Sequence, residues 1–132
     1  NCTASWVPRA LDIPLGRALP RDATLTAVTL GDTAWVTIPG ELQTALGHEV
    51  KRRSAPRFAN TFVAGVSNDY LGYFLTEEDY EQVAYVTCAS LFGPTAGSCL
   101  AETAIALLHR LGVSAGPPPP TPHCPQPPHD AR

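Results

Sequence analysis

Residues 24–41 read TLTAVTLGDTAWVTIPGE. Two runs rich in Thr, Val, Leu and Trp, 24–30 and 34–38, flank the step Gly31-Asp32-Thr33, a composition and spacing that predict a β-hairpin. Pro39 and Gly40 close the second strand and leave Glu41 at its carboxyl end. Beyond them Leu42, Ala45, Leu46 and Val50 recur at helical spacing, so a helix is expected from Glu41 to about Arg53, with the Glu41 carboxylate in its first turn. Ligand sites often lie where strand ends meet helices. The plainer alternative is a first-turn acid favoured by the helix dipole, worth less than about 1 kcal/mol when exposed.

Further along, Phe62, Val63, Ala64 and Val66 form a short apolar run that reads as a buried strand, stopped by the turn-forming Ser67-Asn68-Asp69. Thr76 followed by Glu77, Glu78 and Asp79 reads as a helix N-cap with acids in the first turn, giving a short helical turn to about Gln82. Leu100, Ala104, Leu107, Leu108 and Leu111 trace one face of a final amphipathic helix, with Gly112 as its C′ residue. The fold class is therefore mixed α/β: a β-hairpin, a helix, a buried strand and a final amphipathic helix.

The 132 residues amount to one domain, and 44% hydrophobic content is enough for a core, which excludes full disorder. Nine basic against twelve acidic side chains leave a net charge of -3, so no nucleic-acid partner is expected. The chain contains no Met and begins with Asn, so a fragment or processed piece is expected. No run approaches a membrane span, and the start lacks a signal-peptide layout. Eight of the 14 prolines fall between Pro117 and Pro128, so 117–132 reads as a Pro-rich disordered tail favouring polyproline II. Residues 1–23, with Pro8, Pro14 and Pro20, read as an extended arm, leaving 24–116 as the folded unit. His123, Cys124 and His129 have metal-ligand chemistry, yet a tail offers no scaffold to hold a geometry. Cys2, Cys88, Cys99 and Cys124 contain no C-x-x-C pair; their spacing fits two disulfides or separate thiols, and the reading favoured here is mostly unpaired buried thiols.

All four tyrosines, Tyr70, Tyr73, Tyr80 and Tyr85, lie in one window that also holds Asp69, Glu77, Glu78, Asp79 and Glu81. Such a cluster can be core packing, an aromatic surface, or a set of phenols aimed at a site. Lys51, Arg52, Arg53 and Arg57 read as a solvated helix end complementing the dipole, with an anionic-surface patch as the alternative.

At these residues a resemblance enters. Ile38-Pro39-Gly40-Glu41-Leu42-Gln43-Thr44-Ala45-Leu46-Gly47 resembles the Pro-Gly-Glu segment of the neutral/alkaline non-lysosomal ceramidase family. Val63-Ala64-Gly65-Val66-Ser67-Asn68-Asp69-Tyr70-Leu71-Gly72-Tyr73 is similar to that family's Gly-x-x-Asn-x-Tyr-x-x-Tyr segment, and residues 76–80, Tyr85 and 89–97 continue it in order. The similarity covers about residues 24–112, and the ordered blocks are far more specific than a lone Pro-Gly-Glu.

The resemblance implies the carboxy-terminal part of a larger layered α/β catalytic domain. It also implies a zinc-dependent amidase that hydrolyses the N-acyl bond of ceramide, or a related N-acyl lipid, to fatty acid and sphingoid base. Carried over position by position, Glu41 and Tyr73 become metal ligands and Tyr85 a catalytic donor facing the substrate carbonyl. Two further histidine ligands are expected from the amino-terminal half of the same domain, because neither His48 nor His109 matches the family's ligand positions. The chemistry is coherent: Zn2+ accepts carboxylate oxygen, and a nearby dication favours phenolate over phenol. Tyr85 is followed by Val86 where many members have glutamate, and the Pro-rich tail stands where long members continue into a β-sandwich. Both departures suggest a relative of the shorter bacterial type. By the same analogy the protein is secreted or at a membrane surface. The competing reading is a non-catalytic interaction module, or an orphaned remnant, that uses the aromatic window and the Pro-rich tail to engage SH3-like or WW-like grooves.

Overall fold

The computed structural model describes Pro20 and residues 22–82, 84–111 and Cys124. The expected arm 1–23 and tail 117–132 lie outside these residues apart from Pro20, Asp22, Ala23 and Cys124. Gly112 lies outside them as well.

The hairpin forms. Strand β1 (Ala27–Leu30) and strand β2 (Thr33–Thr37) pair antiparallel, with Ala27 opposite Val36 and Leu30 opposite Thr33. Gly31 turns the chain at φ 61, a left-handed conformation that costs glycine little. After the two-residue strand β3 (Glu41–Leu42), helix α1 (Thr44–Ser54) carries the chain back to strand β4 (Asn60–Ala64), which pairs parallel with β2. A parallel neighbour requires such a crossover. The short strand β5 (Tyr73–Phe74), the single-turn helices α2 (Glu77–Tyr80) and α3 (Tyr85–Cys88), and the long helix α4 (Ala96–Leu111) follow. The strand orders are β1-β2-β4 and β3-β5.

Successive strand residues point to opposite faces of a sheet. On one face, Ala34, Val36 and Ile38 meet Leu46 and Val50 of α1 and Ala101, Ala104, Ile105 and Leu108 of α4, forming the core. On the other, Trp35 stacks on Phe62 with ring centroids 5.6 Å apart.

Four sequence expectations are corrected here. The helix begins at Thr44 rather than Glu41, because the Glu41 N–H donates to Gly72 O at 2.9 Å and the Gln43 N–H to Phe74 O at 2.9 Å. Those bonds hold Glu41 in an extended strand instead of a first helical turn. The apolar run at 62–66 is not a buried strand: β4 is an edge strand, Phe62 is 51% exposed on its outer face, and Val66 lies past its end, 58% exposed at φ 52. On α4 the buried line is Gly97, Ala101, Ala104, Ile105 and Leu108, while Leu111 is 42% exposed. The cysteines are not mostly free thiols. Cys99 and Cys124 form a disulfide, Cα to Cα 5.5 Å, and Cys88 is also disulfide-bonded.

The Thr76 N-cap forms as expected, its side chain accepting from the Asp79 N–H. The turn at 67–69 forms too, with Asn68 at φ 70. The Asn68 side-chain amide donates to Thr24 O at 2.9 Å and to Thr37 Oγ1 at 3.0 Å, pinning this turn against the hairpin.

Candidate functional site

Residues 38–41 are knitted to the loop 64–72 by backbone bonds. Ile38 N–H donates to Ala64 O at 2.8 Å, Val66 N–H to Gly40 O at 2.9 Å, Ser67 N–H to Ile38 O at 3.0 Å, and Leu71 N–H to Pro39 O at 2.8 Å. Two glycines make the approach possible. A Cβ at Gly40 would stand 2.5 Å from Gly72 O, and Gly72 has φ 85 with a Cβ position 2.6 Å from Ala89 O. A larger residue at Gly40 would push β3 from β5, and one at Gly72 would push the β5 segment from Ala89. With them in place the strands pair parallel, Glu41 opposite Tyr73 and Leu42 opposite Phe74.

The Tyr73 backbone is held from its other side. Its N–H donates to Ala89 O at 3.3 Å, and the buried Ser90 hydroxyl donates to Tyr73 O at 2.8 Å. This brings α3 alongside, so that the Tyr85 ring meets the Tyr73 ring edge to face, centroids 5.8 Å apart at 77°. Tyr85 itself is 75% exposed, leaving its ring accessible to a ligand. The Tyr70 hydroxyl donates to Glu41 Oε1 at 2.8 Å. Tyr70 and Tyr73 thus meet one carboxylate and Tyr85 packs on Tyr73, whereas Tyr80 lies on α2.

The electrostatics follow from that carboxylate. Tyr73 is pushed well above the usual phenol range, first by its interaction with Glu41, then by loss of solvent and by the Tyr85 hydroxyl. Tyr70 is also pushed up, again chiefly by Glu41. Each phenol stays protonated because a phenolate would sit against an existing negative charge.

A cleft of about 430 Å3 opens beside this cluster, lined among others by Glu41, Gln43, Tyr73, Asp79, Gln82 and Val86. Gln43 braces its floor. The Gln43 side-chain amide donates to Asp79 and accepts from the Thr76 N–H at 2.7 Å, tying the start of α2 to the start of α1. The lining carries the carboxylates of Glu41 and Asp79 and, among the described residues, no Lys, Arg or His. An oxygen-donor cluster with unneutralised negative charge suits a hard or borderline cation, and Glu41 and Tyr73 are the oxygen donors that the strand pairing sets side by side. Two such donors do not complete a shell, since among the described residues there is no group of three or more His, Cys, Asp or Glu side chains able to bind a metal.

The other candidates lie elsewhere. His109 sits with Nε2 3.3 Å from Arg53 O, and His48 lines a separate shallow pocket on α1. In the basic run, Arg52 pairs with Glu49 at 2.6 Å, Arg53 pairs with Glu102, and Arg57 donates to His109 O at 3.4 Å. These contacts fit the solvated helix end better than an anion-binding patch. The roles of Tyr70 and Gln43 were not read from the sequence. For Tyr70 the one available signal was its place as the first tyrosine of the Tyr-x-x-Tyr; for Gln43, directly after the Pro-Gly-Glu-Leu, there was none.

No family model matches the chain. Among curated proteins, neutral ceramidase B of Dictyostelium discoideum is 30% identical over 124 residues, covering 86% of this chain and 16% of that protein. Neutral ceramidase A of the same organism is 28% identical over 103 residues, covering 70% of this chain and 14% of its own length. The neutral ceramidase of Drosophila melanogaster is 26% identical over 130 residues, 86% of this chain and 18% of that protein. Among solved structures, a ceramidase complexed with C2 superposes with a TM-score of 0.56 at 18% identity, over 73% of this chain and 16% of that one. A neutral ceramidase from Pseudomonas aeruginosa superposes with a TM-score of 0.54 at 23% identity, over 70% of this chain and 16% of that one. The described fold is thus shared with one segment of a larger α/β domain, and the chain spans less than a fifth of each relative. In sequence this chain is similar to one segment of the neutral ceramidases, and it shares the fold of the matching segment in two solved ceramidases.

Proposed function

We propose that the chain forms part of a zinc-dependent amidase that hydrolyses the N-acyl bond of ceramide, or of a related N-acyl lipid, to a fatty acid and a sphingoid base. The observation that carries this reading is the pairing of Glu41 with Tyr73 across β3 and β5, both lining an acidic cleft, with Tyr85 packed against Tyr73. Relatives named neutral ceramidases supply the substrate class. The interaction-module alternative is not favoured by these relatives.

Glu41 and Tyr73 would hold the zinc together with two histidines from elsewhere in the full-length protein. When bound, the metal supplies Lewis-acid polarisation of the amide carbonyl and a lowered pKa for water. The remaining work falls to side chains on this chain. The Tyr85 hydroxyl donates a hydrogen bond to the oxygen on which negative charge develops as the amide carbon becomes tetrahedral. Its exposure leaves it free to reach a substrate, and the T-shaped contact with Tyr73 fixes the ring. Gln43 and Asp79 hold the cleft wall that the substrate passes.

A secreted or membrane-surface location belongs to the same reading. The Cys99–Cys124 disulfide supports it, because disulfides persist in oxidising compartments. Among the described residues no helix is long and apolar enough to cross a membrane.

The test is made in the full-length protein. Glu41→Gln and Tyr73→Phe are each expected to lower both zinc content and ceramide hydrolysis; normal zinc content and normal rate in both variants overturn the assignment. The isolated 132-residue chain is expected to be inactive and to bind zinc weakly, since it presents two donors. A stoichiometric site with submicromolar affinity in that chain contradicts this.

A further inference from the structure

We infer that Tyr70 is a positioning residue for the metal site: its hydroxyl, 2.8 Å from Glu41 Oε1, orients the Glu41 carboxylate for coordination. The inference rests on the reading of Glu41 as a zinc ligand and deepens it.

The backbone of Glu41 is fixed by β3, but three side-chain torsions separate that backbone from the carboxylate. Strand pairing with Tyr73 does not fix them. Beside its side-chain interaction with Tyr73, the carboxylate accepts a hydrogen bond from the Tyr70 hydroxyl, which fixes it from a second side. The Tyr70 backbone is itself held, with its N–H donating to Asp69 Oδ1 at 2.8 Å and the next N–H, of Leu71, donating to Pro39 O at 2.8 Å. Pro39 lies two residues before Glu41, so donor and acceptor are referenced to the same short piece of backbone. The Tyr70 side chain reaches Glu41 from the loop after the Asn68 turn, whereas Tyr73 reaches it from β5. The two tyrosines therefore approach one carboxylate by separate routes, and their roles are separable. Ligating carboxylates characteristically carry such outer hydrogen bonds, and losing an outer partner typically costs about 10- to 100-fold in metal affinity.

The experiment is a double-mutant cycle on zinc affinity in the full-length protein, read by competition with a chromophoric chelator. The four proteins are the parent, Tyr70→Phe, Glu41→Ala and the double variant. Tyr70 is 54% exposed, so Phe preserves the ring and the fold, which circular dichroism and Tm check. Tyr70→Phe is expected to weaken zinc binding by about 10- to 100-fold, and to have no further effect once Glu41 is Ala. A merely structural role would lower Tm without this non-additivity. If Glu41→Ala weakens zinc and Tyr70→Phe does not, the positioning role is overturned while the ligand reading stands. If the two effects multiply, Tyr70 acts independently of Glu41, for example as a ligand itself, and the inference is overturned. If Glu41→Ala leaves zinc affinity unchanged, the ligand reading falls and this inference with it.

Discussion

Glu41 and Tyr73 are directly paired positions of two parallel two-residue strands, which places a carboxylate and a phenol side by side although a helix, a strand and a loop separate them along the chain. Neither strand could persist alone. Each is held by neighbours: Glu41 by Gly72 O, Gln43 by Phe74 O, and Tyr73 by Ala89 O and the Ser90 hydroxyl.

Tyr85→Phe separates catalysis from metal binding. Removing one oxyanion donor typically costs about 100- to 1000-fold in kcat, so the full-length variant is expected to lose that much kcat with zinc content unchanged. Steady-state kinetics beside metal analysis check it. An unchanged kcat would remove Tyr85 from the mechanism.

Gly72→Ala and Gly47→Ala are expected to act in opposite directions. At Gly72 the added Cβ meets Ala89 O at 2.6 Å and φ is 85, so strain and crowding together are expected to cost at least about 2 kcal/mol and to disturb the Glu41–Tyr73 pairing. At Gly47, inside α1, nothing stands within 4 Å, and Ala is expected to stabilise by up to about 1 kcal/mol through helix propensity. Urea midpoints of the two variants check the contrast.

Leu108 and Leu111 lie one turn-step apart on α4 yet differ in burial, with Leu108 fully buried and Leu111 substantially exposed. Leu108→Ala leaves a cavity in the core that Leu108 shares with Ala34, Val36, Ile38 and Val50, and is expected to cost about 2–5 kcal/mol. Leu111→Ala is expected to stay within about 0.5 kcal/mol, the usual range for surface positions. Chemical denaturation of both variants tests the assignment of the buried face.

Cys99→Ser opens the bridge to Cys124. Loss of a disulfide of this loop size is expected to cost about 2–4 kcal/mol through the larger entropy of the unfolded chain. A reducing agent is expected to bring the unsubstituted protein at least down to the level of the variant, because it also opens the bridge that Cys88 makes. If reductant has no effect on the unfolding midpoint, the bridge does not contribute.

Much of the fold was legible locally. The hairpin follows from two β-rich runs around Gly31, the Thr76 cap from a hydroxyl ahead of three acids, and α4 from the recurrence of Leu and Ala at helical spacing. The ordered blocks from Ile38 to Gly97 also carried the resemblance to the neutral ceramidases, and with it Glu41, Tyr73 and Tyr85 as candidates. Local pattern misplaced Glu41 in a helix and Phe62 in the core. In both cases the deciding partner was distant or lacking: Gly72 and Phe74 hold Glu41 extended, and among the described residues no layer covers the outer face of β4.

What the sequence by itself determined, then, is the set of elements whose signals lie within one turn or one hairpin, together with the residue types at the candidate site. Which of those residues meet was decided by the tertiary structure alone. The bonds that bring Glu41 to Tyr73, and Tyr70 to Glu41, join segments about thirty residues apart, and β pairing of that kind depends on Gly40 admitting the close approach of Gly72, and Gly72 that of Ala89, rather than on any local propensity.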